Sequence, residues 1–189
     1  MSTIIALTGL CGSGKTTAAL VIEKLGYQYL RFGQIVIDAL QNKAMEVTPE
    51  NEKLIRHQLR ETYGMGAFAI ANQQKIYNMS KKGNVVIDGM YSFEEYKILK
   101  EQFQDDFINV AVYAPPIVRY NRLGSRFTQT GDVETRFRPL TRIEAQKRDY
   151  DEIENASKGG PIAIADWTIL NIATLQHLEK EVKEFVCRI

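Results

Sequence analysis

Eight residues near the amino end restrict this chain more than any others. Gly9-Leu10-Cys11-Gly12-Ser13-Gly14-Lys15-Thr16 fits the pattern G-x-x-x-x-G-K-[ST]. At average residue usage a chain of 189 residues matches it by chance roughly 0.5% of the time. The surroundings fit as well. The apolar run Ile4-Ile5-Ala6-Leu7-Thr8 precedes it, without polar alternation, as in a strand buried on both faces. A helical stretch from about Lys15 to Leu25 follows, with Gly26 at its C′ position. Glycine lets such a loop turn its backbone N–H groups inward, and the helix start adds unpaired N–H groups and a positive dipole end. The loop therefore suits a phosphate chain. Gly9, Leu10, Cys11, Gly12, Ser13 and Gly14 form the cradle, and Lys15 supplies charge to the β- and γ-phosphates. Thr16 offers a hydroxyl to Mg²⁺, and Thr17 donates to the α-phosphate. The expected ligands are ATP, or GTP, and Mg²⁺.

Strand-like and helix-like segments alternate along the rest of the chain, which predicts an α/β fold: a three-layer P-loop NTPase architecture with a mainly parallel sheet. Further strands are expected at 27–32, at Val85-Val86-Ile87-Asp88, at 108–113 and at 167–170. Helices are expected at 33–42, across 50–82 with a break at Gly64-Met65-Gly66, from Ser92, from Pro115-Pro116 to about Arg126, at 141–155 and at 174–186. Ser92 with Glu95, and Thr141 with Glu144, have the spacing of capping boxes. Residues 127–140 are polar and aperiodic and read as a mobile lid; residues 33–82 read as a helical acceptor-side region of one domain spanning 1–189.

Composition narrows the function. The 24 Lys+Arg against 23 Asp+Glu give a net charge of +1, which argues against a generally basic nucleic-acid binder. Cys11 and Cys187 are the only cysteines, and His57 and His177 the only histidines, so neither a disulfide framework nor a zinc spacing is present. No apolar run is long enough for a membrane helix and no signal peptide leads the chain, so a cytoplasmic protein is expected. Asn-Lys-x-Asp, Asp-x-x-Gly and Leu-Ser-Gly-Gly do not occur, which sets aside regulatory GTPases and transporter-type ATPases.

Arginines, by contrast, are concentrated. Seven of eleven (Arg119, Arg122, Arg126, Arg136, Arg138, Arg142 and Arg148) fall within thirty residues that hold eight basic and three acidic side chains. Arginine is favoured over lysine where phosphate oxygens are gripped in pairs. Arg119, Arg122 and Arg126 stand at i, i+3 and i+7, the spacing of one helical face aimed at transferring phosphates. Asp88 closes a central strand, where ligands bind in open α/β sheets, and can hold Mg²⁺ or take the acceptor's hydroxyl proton.

Several strings together resemble the dephospho-coenzyme A kinase and nucleoside-monophosphate-kinase branch of the P-loop kinases, and within it a set of adenylate-kinase-like archaeal proteins. They are the phosphate loop, Arg31-Phe32-Gly33, Thr48-Pro49-Glu50-Asn51, the stretch Leu59 to Met65, Val86-Ile87-Asp88-Gly89 and Arg148-Asp149. The stretch Ile164 to Asn171 is similar to the Ala-Asp-x-x-Ile-x-Asn element of dephospho-coenzyme A kinases. The resemblance implies that Asn171 and its neighbours flank the adenine, and that Gly89 and Arg148 lie on the acceptor side. The chain departs from the pattern at Gln34, where the family has Asp, at about Asp38, where adenylate kinases have an arginine, and at Tyr91, where the archaeal set has Arg. Arg60 is then the candidate for gripping an acceptor phosphate.

The expected function is transfer of the γ-phosphate of Mg-ATP to a small acceptor, a dephospho-coenzyme A-like hydroxyl or a nucleoside monophosphate. Lys15, Asp88, Arg122 and Arg126 would act on the transferring group. The alternatives are a nucleotide switch acting on protein or RNA, with the arginines as docking surface, and a kinase of modified nucleotides within nucleic acid.

Overall fold

The computed structural model describes residues 2–126 and 139–189. Five parallel strands form its centre: β1 (Ile4–Thr8), β2 (Gln28–Arg31), β3 (Val85–Asp88), β4 (Phe107–Tyr113) and β5 (Trp167–Leu170), in the order β2-β3-β1-β4-β5. Helices α1 (Lys15–Lys24), α2 (Gln34–Asn42), α3 (Pro49–Tyr63), α4 (Ala67–Ser80), α5 (Phe93–Phe103), α6 (Pro116–Gly124), α7 (Arg142–Glu154), α8 (Gly159–Ala163) and α9 (Leu175–Val186) surround it.

The two-residue period of β1 sorts the layers. Ile4 and Ala6 pack on one face with Phe32, Leu40, Phe68, Ile76 and Leu99, which α2, α4 and α5 contribute with the β2–α2 turn. Ile5 and Leu7 pack on the other with Ala18, Ile22, Leu178, Val182 and Phe185 from α1 and α9. Every residue of β1 is buried, which explains its unbroken apolar run. This is the P-loop NTPase kinase fold, and its strand carboxyl ends gather the functional candidates.

Local signals set most boundaries. Both predicted capping boxes are present, Ser92 with Glu95 and Thr141 with Glu144. Gly64–Gly66 is a 3₁₀ turn between α3 and α4, and Gly26 takes φ 98° after α1. Helix α8 was not expected, because Gly159-Gly160-Pro161 reads as a breaker. It is held by tertiary bonds instead: Asn109 Nδ2 donates to the Pro161 carbonyl at 2.7 Å, and α8 sits against α5 through Gly160 and Phe93. Most of the expected lid at 127–140, with Arg136 and Arg138, lies outside the described residues.

Candidate active site

The loop from Gly9 to Gly14 runs from the end of β1 to the start of α1. Its glycines are required by space as well as by torsion. A Cβ on Gly14, at φ 101°, would lie 2.2 Å from Asn171 Nδ2, and one on Gly9, at φ 143°, 2.4 Å from the Val112 carbonyl oxygen. Helices α3, α5, α7 and α9 begin with a Thr or Ser whose hydroxyl accepts a backbone N–H. Helix α1 begins on Gly14, with no side-chain cap and no acidic residue in its first turn. Its first N–H groups and its dipole are left for an anion. The hydroxyls of Thr8 and Ser13 are buried without a partner. An uncapped helix start, two orphaned hydroxyls and Thr16 in the first turn fit a phosphate chain with Mg²⁺.

Lys15 Nζ donates to the Leu10 carbonyl at 3.1 Å, folding its ammonium back over the loop. Loss of water around it, and then the charge of Lys158, pull its pKa from 10.5 down to about 8. Asp88, nearly buried at the carboxyl end of β3, is paired in register with Leu7 of β1 and Arg31 of β2. The Tyr29 hydroxyl donates to its Oδ2 at 2.9 Å and orients the carboxylate. Gly89 follows at φ 94°, with open space where a side chain would begin.

The expected arginine face divides into three different roles. Arg119 is 2% exposed and points inward. Its guanidinium makes a two-pronged ion pair with Asp149 of α7 (2.8 and 2.6 Å) and donates to the Cys11 carbonyl at 3.0 Å. It is a brace between the loop, α6 and α7, and the expectation that it grips phosphate is corrected accordingly. Arg122 donates to Asn171 Oδ1 at 3.2 Å, and its Nη1 is buried without a partner. Arg126 lies beyond the end of α6, so it leaves the helical line that its spacing suggested.

Asn171, expected beside the adenine, is buried, and its Nδ2 donates to the Ser13 carbonyl at 2.8 Å. Both ends of its amide thus tie β5 and α6 to the loop, and exposed Ile172 and Leu175 are its apolar neighbours. Asp166 of the same string is structural. It accepts the Asn109 N–H at 2.8 Å and returns its own N–H to the Asn109 carbonyl, clamping the start of β5 to β4.

A second group of charges gathers around Tyr91, three residues beyond Asp88; the sequence reading named Arg60, Arg148 and Tyr91 but missed Lys158 and Glu152. Arg60 of α3 stacks 4.8 Å from the centre of the Tyr91 ring, and its Nε is buried without a partner. Lys158 Nζ lies 4.6 Å from the same ring centre and donates to Glu152 at 2.8 Å. Arg148 donates to the other oxygen of Glu152 at 3.0 Å. Burial opposes the charge on Glu152, but Lys158, Arg148 and Lys15 outweigh it and hold its pKa at about 2. Glu95, completely buried, is raised to about 7 by loss of water, against the pull of the Tyr91 and Ser92 N–H groups. The spacing of Glu95 marked it only as a cap, and nothing local distinguishes Lys158 from a solvated loop lysine.

The fold and this loop define a P-loop nucleotide-binding protein of the small-molecule-kinase architecture. A family model described as an AAA domain matches residues 5–154. The chain belongs to the UPF0200 family: it is 32% identical to the UPF0200 protein of Pyrococcus abyssi over 188 residues, 98% of this chain and 96% of that one. The UPF0200 protein of Thermococcus kodakarensis is also 32% identical, over 97% of this chain and 96% of its own. Among solved structures, a gluconokinase from Sinorhizobium meliloti 1021 superposes with a TM-score of 0.59 at 14% identity, covering 98% of this chain and 92% of its own. Shikimate kinase from Acinetobacter baumannii, in complex with shikimate, gives 0.55 at 17% identity, covering 100% and 94%. Among the described residues no helix is long and apolar enough to cross a membrane.

Proposed function

We propose that this protein transfers the γ-phosphate of ATP to a small-molecule acceptor, of the nucleoside-monophosphate or dephospho-coenzyme A type. The observation that carries this reading is the uncapped start of α1 at Lys15, close enough to the strand-end carboxylate Asp88 for the two charges to interact. Thr16 and Asp88 are the residues to hold Mg²⁺, which would neutralise phosphate charge when bound. The Gly9–Gly14 backbone, with Thr17, holds the phosphate chain, and Lys15 places a full charge on it. Asp88 takes the acceptor's hydroxyl proton or holds the metal. The buried free Nη1 of Arg122, and Arg126 beyond α6, supply charge to the transferring group. Arg60, Gly89 and Arg148 line the acceptor side. No covalent intermediate is needed: positioning and electrostatics carry the reaction.

The test is a panel with Mg-ATP in which transfer of labelled phosphate is followed. Nucleoside monophosphates, dephospho-coenzyme A, shikimate and gluconate serve as acceptors. One acceptor should raise ATP consumption well above its rate without acceptor. Slow hydrolysis indifferent to every acceptor, yet stimulated by RNA or a protein, would turn the reading to a nucleotide switch.

A further inference from the structure

Around Tyr91, three residues beyond Asp88, cations outnumber the carboxylates that pair with them. Lys158 and Arg148 share one carboxylate, Glu152. Lys158 and Glu152 are almost sealed from water, at 4% and 2% side-chain exposure, whereas Arg148 is 46% exposed and keeps its own solvation. Arg60 adds a further cation, with a buried N–H that nothing accepts. Glu95 lies close enough to feel the charges of Lys158 and Arg60, and burial raises its pKa to about 7. The contrast with Arg119 is direct, because that buried cation has a carboxylate, Asp149, that pairs with no second cation among the described residues. A Tyr91 ring face offers a cation on the order of 1 kcal/mol, far less than an anion in the same surroundings.

The placement is specific. Tyr91 stands three residues beyond Asp88, between the acceptor-side helix α3, which carries Arg60, and the α7–α8 connection, which carries Lys158. Lys158 is also close enough to Lys15 to lower its pKa, so this charge reaches the phosphate loop.

We infer that Lys158 and Arg60, set against the Tyr91 ring, form a seat for an anionic group on the acceptor, and that Lys158 is a substrate-binding residue. The inference rests on the phosphotransferase reading and deepens it: the acceptor presents a phosphate or a carboxylate to this seat. Glu152 is the positioning residue. It holds Lys158 and Arg148 apart until the acceptor's anion arrives, and its own negative charge keeps the empty seat folded.

The experiment uses the full chain with its phosphate loop saturated by Mg²⁺ and a non-hydrolysable ATP analogue. Inorganic phosphate and acetate are then titrated separately by calorimetry. At least one should bind without displacing the analogue, and which one binds separates a phosphate acceptor from a carboxylate acceptor. Lys158→Met and Arg60→Met should each weaken that anion by ~10-fold or more; Arg60→Met should leave the analogue's affinity unchanged, Lys158→Met should change it far less than the anion's because Lys158 also acts on Lys15, and Lys158→Arg should restore most of the loss. Arg60→Met carries the test if Lys158→Met does not fold. The seat is overturned if neither anion binds the wild-type complex, or if the Met variants bind it as tightly as wild type. Failure of the analogue itself to bind strikes the kinase reading instead, so the two failures are distinguishable.

Discussion

The proposed nucleotide side and the proposed acceptor side of this site are built in opposite ways. The nucleotide side is one continuous stretch, Gly9 to Thr17, whose geometry comes from glycine torsions and a helix start. Its outside supports are few: Arg119 on the Cys11 carbonyl, Asn171 on the Ser13 carbonyl and Arg122 behind Asn171. The acceptor side has no continuous motif. Arg60 comes from α3, Glu95 from α5, Arg148 and Glu152 from α7, and Tyr91 and Lys158 from the connections after β3 and α7, and buried charge holds them together. A phosphate chain is the same in every nucleotide, so one local solution serves it. An acceptor differs between enzymes, and its site is assembled from whatever the surrounding helices bring near Asp88.

If the nucleotide side is self-contained, the largest effect should come from its centre. Lys15→Ala removes the only full charge inside the loop and should abolish transfer, by 10³-fold or more in turnover on the order seen for lost phosphate-directed charges, while also weakening ATP binding. Near-normal turnover in this variant would falsify the phosphotransferase reading.

The next effects should separate chemistry from nucleotide binding. Asp88→Asn keeps the Tyr29 hydrogen bond but loses the charge, and Arg126→Ala removes a cation from the mouth of the expected lid. Each should lower turnover by about 10²- to 10³-fold with little change in the ATP dissociation constant, since the loop contacts remain. Affinity that falls in step with rate would place both residues on the ground-state nucleotide.

Arg119 tests the scaffold between the two sides. Arg119→Met leaves Asp149 buried without its partner and releases the Cys11 carbonyl. Breaking such a pair from one end costs about 3–5 kcal/mol, which urea unfolding would read directly. A loss below about 1 kcal/mol would match an exposed arginine, and the inward assignment would be wrong.

These residues also show how far the chain could be read before its structure was known. The sheet, the loop and both capping boxes rest on short-range rules, such as the unbroken apolar run of β1 or Ser92 three residues before Glu95, and these were legible. The arginine face was not. Spacing of i and i+3 puts Arg119 and Arg122 on one side of α6, but which way that side points depends on α7 supplying Asp149. Periodicity also could not show that α6 ends before Arg126. Lys158 was invisible for a similar reason: its importance comes from Glu152, six residues earlier, and Tyr91, in a different part of the chain.

The smallest expected effect is also the cleanest probe of the acceptor side, because it concerns charge alone. Glu95 ionises near 4.5 in an unfolded chain and near 7 in its buried position. Between those values the folded protein holds the proton more tightly, so stability falls as pH rises through the window and the whole cost of ionisation is present above it. That cost is on the order of 3 kcal/mol. Glu95→Gln keeps an oxygen for the Tyr91 and Ser92 N–H groups and never ionises, although its amide nitrogen needs a partner where Oε1 has none. After that offset the variant should be more stable than wild type by about 1–2 kcal/mol at pH 8 and should lose the advantage at pH 5. Urea unfolding at the two pH values measures the difference. An advantage that stays constant with pH would mean that Glu95 ionises in the folded protein as readily as in the unfolded chain and is charged throughout this range. Its carboxylate would then supply the anion that the inferred seat requires to be missing.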